Sequence, residues 1–266
     1  MQLSASQKLT PRLEWRQETG STNLDLMQLA ASGNLPHFTV FATANQVAGR
    51  GRAGRVWQAP KDSALAISIL LKPNLDSDTN LGSLGWLPLL AGLAMSQTVA
   101  GFLPTAEVGV KWPNDVLVNE HKISGILTEM TTSGSAVAVV VGSGINISQL
   151  QSELPIANAT SLAIGGAQLP TDLTLRLDRV LSSYLTNLNH WYQRFAQAGF
   201  SAEASGLRQA VSDNCVTLGR EVRAILPGDS ELVGRAVSID DSGRLILDVL
   251  GVKTPVAAGD IVHLRH

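Results

Sequence analysis

The sequence predicts an α+β protein in two parts: a mixed β-sheet with helices, followed by a small β-barrel. Two stretches with apolar residues at helical spacing, 82–101 and 172–198, stand among short runs of β-branched and apolar residues that read as strands. Beyond Gly206 the helical period disappears. There, over 215–265, about five short apolar runs are divided by Leu-Gly, Pro-Gly-Asp, Asp-Ser-Gly and Ala-Gly-Asp turns. The division falls at 209/210, giving units 1–209 and 210–266.

The first twenty or so residues carry weak patterning. Thr22, with Asp25 three positions on, has the form of a capping box, and Leu24, Met27 and Ala31 then recur at helical spacing up to Gly33-Asn34. A strand is expected over 37–44, a glycine- and arginine-rich loop over 49–55, and a second strand over 64–71. The helix over 82–101 has Pro88 in an early turn, where a missing N–H costs least. Strands then follow at 107–111, 116–118, 123–130 and 136–141, and the His-Lys and Ser-Gly breaks between them indicate antiparallel turns. The 136–141 strand is also a candidate sheet edge for a homodimer. In the 172–198 helix, Leu177, Val180, Leu181, Tyr184, Leu188, Trp191 and Phe195 share one face.

With 266 residues, 44% hydrophobic and 16% charged, the chain can build a sizeable core. Its single cysteine, Cys215, excludes an internal disulfide, and the first residues lack the charged-then-apolar run of a secretory signal. Apolar stretches such as 86–95 and 136–141 fall short of the roughly 20 residues that a bilayer span takes. A cytoplasmic protein without a membrane segment is expected. A net charge of −2 and a pI near 6.2 give no global basic field for nucleic acid. Five histidines stand far apart, with no Cys/His spacing suited to a transition metal.

The most informative segment is Gly49-Arg50-Gly51-Arg52-Ala53-Gly54-Arg55-Val56-Trp57. Glycines let backbone N–H groups approach an anion, guanidinium groups supply charge and bidentate hydrogen bonds, and an adjacent indole can stack on a base. A solvated basic loop is the competing reading. Gly49, Gly51 and Gly54 also match the spacing of a dinucleotide fingerprint and, with Val56, a kinase phosphate loop. The first needs a helix directly after the glycines, where Trp57, Pro60 and a strand follow; the second needs histidine-arginine-aspartate and aspartate-phenylalanine-glycine motifs, which do not occur. In the second segment, Lys111-Trp112-Pro113-Asn114-Asp115 precedes Lys122-Ile123-Ser124-Gly125-Ile126-Leu127 and Glu129. Asn114-Asp115 after proline makes an ordinary turn. Flanked by two lysines, the pair also suits an anion site, with Asp115 and Asn114 as oxygen ligands to a Mg²⁺ that travels with a nucleotide. The third segment, Gly142-Ser143-Gly144-Ile145-Asn146, ends an apolar strand in a glycine turn that allows close ligand approach.

Together these segments resemble the biotin protein ligase family, in the family's order and over nearly the whole chain. The resemblance rests on Ser21-Thr22-Asn23, on Gln46 ahead of Gly-Arg-Gly-Arg, on Lys111 to Asp115, on Lys-x-x-Gly-Ile-Leu beginning at Lys122, and on Gly-x-Gly-Ile-Asn beginning at Gly142. It implies a mixed-sheet catalytic domain of the biotin/lipoate ligase type with a C-terminal SH3-like barrel. The implied reaction activates biotin with MgATP to biotinyl-5′-AMP, then acylates a lysine of a biotin carboxyl carrier protein, such as that of acetyl-CoA carboxylase. By the resemblance, Ser21, Thr22, Asn23, Gln46, Gly49, Arg50, Gly51, Arg52, Lys122 and Gly125 bind biotin; Arg52, Arg55, Trp57, Lys111, Asn114 and Asn146 bind the nucleotide; Lys122, Arg52 and Lys111 are catalytic. Thr22 as a plain helix cap and Trp57 as a core residue stand as alternatives.

Some family members carry an N-terminal winged helix-turn-helix that binds DNA. Here the Ser-Thr-Asn motif begins at position 21, which leaves no room for it, so a ligase without DNA binding is expected. The rival readings are a lipoate-type ligase, which shares the fold and the acyl-adenylate chemistry, and a non-catalytic nucleotide-binding module.

Overall fold

The computed structural model describes residues 1–75, 78–133, 136–226, 228, 230–257 and 259–264. Its first unit contains α1 (Ser4–Gln7), β1 (Leu13–Arg16), α2 (Thr22–Ser32), β2 (Thr39–Thr43), β3 (Gly49–Arg50), β4 (Val56–Trp57), β5 (Ala64–Leu71) and α3 (Leu87–Phe102). It continues through β6 (Val108–Lys111), β7 (Asp115–Val118), β8 (His121–Ser133), β9 (Ala136–Asn146), α4 (Leu173–Gln197) and α5 (Leu207–Asn214). Seven strands form one sheet in the order β1-β2-β5-β9-β8-β7-β6. β1 and β2 pair in parallel and the other neighbours are antiparallel, so the sheet is mixed.

β5 is buried along its whole length, and its alternation divides the two faces. Leu65, Ile67, Ile69 and Leu71 join the main core, together with Val139, Val141 and Ile145 of β9 and the inward faces of α3 and α4. On the other side Leu70, Ala138 and Val140 pack with Leu26 and Ala30 of α2 in a smaller cluster. α4 begins as its sequence predicts, with Asp172 Oδ1 accepting the N–H of Leu175 at 2.8 Å, and all seven residues expected on its apolar face are buried. The stretch Leu81–Phe102 is long and apolar enough to span a membrane by composition, with a mean hydropathy of 1.2, but 72% of it is buried inside the fold. It is a core segment in which the α-helix begins at Leu87, not at Gly82 as expected, because the residues up to Trp86 form a 3₁₀ stretch.

The second unit is an antiparallel five-stranded SH3-like sheet in the order β13-β12-β11-β10-β14. Its strands are β10 (Glu221–Ile225), β11 (Glu231–Ile239), β12 (Leu245–Val249), β13 (Val252–Val256) and β14 (Asp260–His263). The β11–β12 turn docks it onto the first unit. There the indole N–H of Trp86 donates to Asp241 O at 2.8 Å, that of Trp112 donates to Gly243 O at 3.0 Å, and Arg208 pairs with Asp241. Gly85 permits this approach, since a Cβ at that position would lie 2.3 Å from Ser242 O.

Several expectations need correction. α1 and β1 lie in the weakly patterned start. The first helix is capped by Ser21, whose side chain accepts from Leu24 N, and not by Thr22; its buried stripe is Leu26 and Ala30, while Leu24 is exposed. The 49–55 loop is a tight hairpin, β3 paired with β4 around a 3₁₀ turn. Helix α5 crosses the expected 209/210 division and packs on α3 and β6. β9 lies between β5 and β8, but β5 pairs only along Val139–Asn146, so of 136–141 only Ala136–Ala138 keep a side without a β5 partner. The expected Ser-Gly, Pro-Gly-Asp and Ala-Gly-Asp turns and the end at Arg265 each include positions outside the described residues.

Candidate functional site

The cavity lies on the α2 face of the sheet and has a volume of about 330 Å³. Strand alternation puts small residues there: Ala66 from β5, Gly142 and Gly144 from β9, with Ser68 of β5 buried on the same face beneath Thr22 and Asn23, while the bulky neighbours point into the main core. The two glycines have specific occupants. A Cβ on Gly142 would lie 2.2 Å from Asn23 Oδ1, and one on Gly144 would lie 2.5 Å from the indole of Trp57. Gly142 thus seats the start of α2 on the sheet, and Gly144 seats the indole that closes the hairpin over it.

Uncharged polar groups come from the start of α2. Gln46 Oε1 accepts the backbone N–H of Thr22 at 2.8 Å and the Thr22 hydroxyl at 3.1 Å, which fixes the carboxamide beside Gly49. The Asn23 amide donates to Leu127 O at 3.1 Å and to Glu129 Oε2 at 2.8 Å, while its Oδ1 accepts the hydroxyl of Ser68 at 2.6 Å. Ser68 also lies 2.8 Å from Thr22 Oγ1. This buried network is satisfied by its own members, so the wall is rigid before any ligand arrives. Thr22 therefore belongs to the wall and not to the helix cap.

Cationic groups come from the hairpin and from β7–β8. Arg52 donates to Asn114 Oδ1 at 2.9 Å and to Gly259 O of the barrel at 3.3 Å, and Arg55 pairs with Asp260. Lys122 Nζ stands 2.6 Å from Asp115 Oδ1, and Gly125 leaves room for the pair: a Cβ there would meet Nζ at 3.2 Å. Burial lowers the pKa of Lys111, an effect that Asp115 opposes and that Lys122 and Arg55 reinforce. Burial likewise lowers that of Arg52, with Asp115 opposing, yet a guanidinium stays charged at any physiological pH. The four cations Arg52, Arg55, Lys111 and Lys122 thus outnumber the two carboxylates beside them, Asp115 and Asp260, which equips the site to receive anions.

Of the expected residues, Ser21, Thr22, Asn23, Gln46, Arg50, Gly51, Arg52, Arg55, Trp57, Asn114, Lys122, Gly125 and Asn146 line the cavity. Gly49, Lys111 and Asp115 stand behind the lining. Asn146 has both ends of its amide engaged, donating to Thr160 O at 2.9 Å and accepting from Gln149 at 2.9 Å, so it pins the 158–162 segment beside the cavity. Asn114 Oδ1 is taken by Arg52 and its amide donates to Ile126 O at 2.8 Å, which leaves Asp115 as the carboxylate suited to a nucleotide-borne cation. Sequence reading missed the lining residues Ala66, Pro155 and Ile156, and Ser68 behind the lining; the small-residue alternation on β5 was a usable signal for Ala66 and Ser68.

Behind Lys111, burial and the nearby Lys111 and Arg220 charges push the pKa of His263 from 6.5 down to about 4, against a smaller opposing pull from Glu120. Between those two values the unfolded chain binds a proton that the folded chain refuses, so this histidine's contribution to stability is lost as pH falls through that window. We expect His263→Gln to flatten the fall in Tm between pH 6.5 and 4.5. Parallel Tm profiles for variant and parent would overturn this.

A mixed sheet with a small-residue floor, an arginine hairpin over it and an SH3-like barrel against its cationic side define the biotin/lipoate ligase class of fold. A model described as the Biotin/lipoate A/B protein ligase family matches residues 16–146, and one for the Biotin protein ligase C terminal domain matches residues 217–264. The biotin--[acetyl-CoA-carboxylase] ligase of Mycobacterium tuberculosis is 39% identical over 258 residues, covering 94% of this chain and 90% of that protein. The bifunctional ligase/repressor BirA of Bacillus subtilis is 31% identical over 229 residues, and the chain spans 64% of its length. Among solved structures, the biotin protein ligase from Aquifex aeolicus in complex with biotin and ATP matches with a TM-score of 0.72 at 26% identity, covering 96% of this chain and 100% of that one. The chain belongs to the biotin protein ligase family.

Proposed function

We propose that this chain activates biotin with MgATP and transfers the biotinyl group to a lysine of a biotin carboxyl carrier domain, as in acetyl-CoA carboxylase, in the cytoplasm. The observation that carries this reading is one cavity lined both by uncharged hydrogen-bonding groups, Thr22, Asn23 and Gln46, and by the cations Arg52 and Lys122. The neutral ureido head of biotin suits the first set, and its carboxylate and the ATP phosphates suit the second.

In the first step a biotin carboxylate oxygen attacks the α-phosphorus, forming the acyl-phosphate bond as pyrophosphate departs. In the second, the carrier lysine's neutral amine attacks the acyl carbon, gives up a proton and expels AMP. Both nucleophiles belong to substrates, so the protein's work is to gather anions and stabilise migrating charge. Lys122 bridges the carboxylate and an α-phosphate oxygen, exchanging its contact with Asp115 for them. Lys111, Arg55 and Arg52 serve the phosphates, Trp57 packs near adenine, and Asp115 turns to the cation. Asp115 would hold a Mg²⁺ that comes with ATP, and that ion would supply positive charge for the pyrophosphate.

The β3–β4 hairpin acts as a lid that shields the adenylate from water. Arg52→Ala is expected to raise the release of free biotinyl-AMP about tenfold, since two hydrogen bonds that hold the lid are lost. If a chromatographic assay of released adenylate shows no rise, the lid role fails. Pyrophosphate exchange into ATP, with biotin, lipoate or no acid, tests the whole reading. Exchange with biotin alone is expected; exchange with lipoate moves the substrate claim, and exchange with neither acid despite ATP binding leaves a nucleotide-binding module.

A further inference from the structure

The linker leaving α5 runs alongside β6. Val110 and Cys215 form an isolated parallel bridge, and Val216 N donates to Val110 O at 3.0 Å. Gly109 makes the approach possible, because a Cβ there would come within 2.4 Å of Val216. This path delivers the fully buried Thr217 to Trp112, whose backbone N–H donates to Thr217 Oγ1 at 3.1 Å. With the indole N–H spent on Gly243 O, both donors of the residue that follows Lys111 end outside the catalytic sheet.

His263 on β14 extends the contact. Its Nε2 lies 3.2 Å from Thr217 Oγ1 and its Nδ1 lies 3.5 Å from the Arg220 guanidinium. A guanidinium only donates, so Nδ1 is the acceptor, the ring proton sits on Nε2, and Nε2–H donates to Thr217. Arg220 in turn donates to Glu120 Oε1 at 2.6 Å, in the turn just before Lys122. One chain of contacts therefore starts beside Lys111, behind the lining, and ends beside the cavity lysine Lys122, passing through the barrel. A neutral imidazole suits this place because a cation there would repel Lys111, and burial with those neighbouring charges keeps the ring unprotonated.

We propose that Thr217 and His263 are positioning residues for the nucleotide half of the site: by holding the Trp112 backbone they set where the Lys111 ammonium stands, without touching substrate. The proposal rests on the reading of Lys111 as a nucleotide-binding lysine. It gives the C-terminal barrel a part in ATP recognition through the back of the Lys111–Asp115 segment, besides its contact with the arginine hairpin.

The test measures pyrophosphate exchange by the full chain against MgATP and against biotin for Thr217→Val, Thr217→Ser, His263→Leu, His263→Gln and Lys111→Ala. Thr217→Val and His263→Leu are expected to raise KM for ATP about five- to tenfold, the scale of one lost positioning hydrogen bond, with KM for biotin within about twofold. Thr217→Ser keeps the hydroxyl and His263→Gln keeps an N–H near the Nε2 position, so both are expected to stay close to the parent. The half-buried His263 pair keeps the test valid if Thr217→Val does not fold. Should Lys111→Ala leave KM for ATP unchanged, the lysine reading falls and the proposal with it. Should Lys111→Ala raise it while Thr217→Val and His263→Leu do not, the positioning role alone falls. Equal rises in both KM values, or no rescue by serine and glutamine, would also overturn it.

Discussion

Lys122→Ala is expected to slow biotin-dependent pyrophosphate exchange by about 10²–10³, the scale of removing one preorganised donor from a site of developing charge. The ammonium stands over the cavity beside Gly125, 2.6 Å from an oxygen of Asp115. On the proposed reading, that carboxylate holds the place of an anionic partner until the substrates supply their own oxygens. The loss should therefore fall on kcat for adenylation more than on the affinity for biotin, whose head is held elsewhere. Stability should change little, because the pair is partly exposed and such pairs contribute weakly. Stopped-time exchange assays beside a thermal melt separate the two effects. A variant within threefold of the parent would remove Lys122 from the mechanism.

Gly142→Ala is the second large effect. Its new methyl would fall 2.2–2.8 Å from the three terminal atoms of the Asn23 side chain. That carboxamide cannot step aside cheaply: it is tied to Ser68, Leu127 and Glu129, and it is 5% exposed. Relief must come from moving the start of α2, and with it Thr22 and Gln46. We expect a loss of about 1–3 kcal/mol in stability, typical of overpacking, and a fall in biotin affinity of tenfold or more. Calorimetric titration with biotin together with urea unfolding reads both. Unchanged biotin affinity would show that the seat of Asn23 on β9 does not shape the acid pocket. Gly144→Ala makes a useful contrast, since its methyl would meet Trp57 on the hairpin, which can lift away without unfolding the wall.

Much of the framework was legible because its signals are local. The β5 run at 64–71, the Asp172 cap with the apolar stripe of α4, and Pro88 early in α3 were each readable from neighbours within a few residues. The first helix shows how such reading errs. Leu24 and Met27 have helical spacing, yet Leu26 and Ala30 are the buried pair, because the phase is set by where Asn23 and Thr22 must face and not by the most apolar stripe. The short α5 was hidden by its small size and by the change of texture around it.

The sequence by itself determined the family motifs and the kinds of group the site would hold: arginines on a glycine hairpin, two lysines, an uncharged Ser-Thr-Asn helix start. Tertiary structure alone decided how these meet. Arg52 reaches Asn114 across 62 positions, Ser68 joins Asn23 across 45, and Thr217 takes the Trp112 N–H across 105. It also placed β9 inside the sheet and turned the barrel against the back of Lys111. Local periodicity carries no information about such partners, because strand order, register and domain docking are set by burial of whole faces over the full chain.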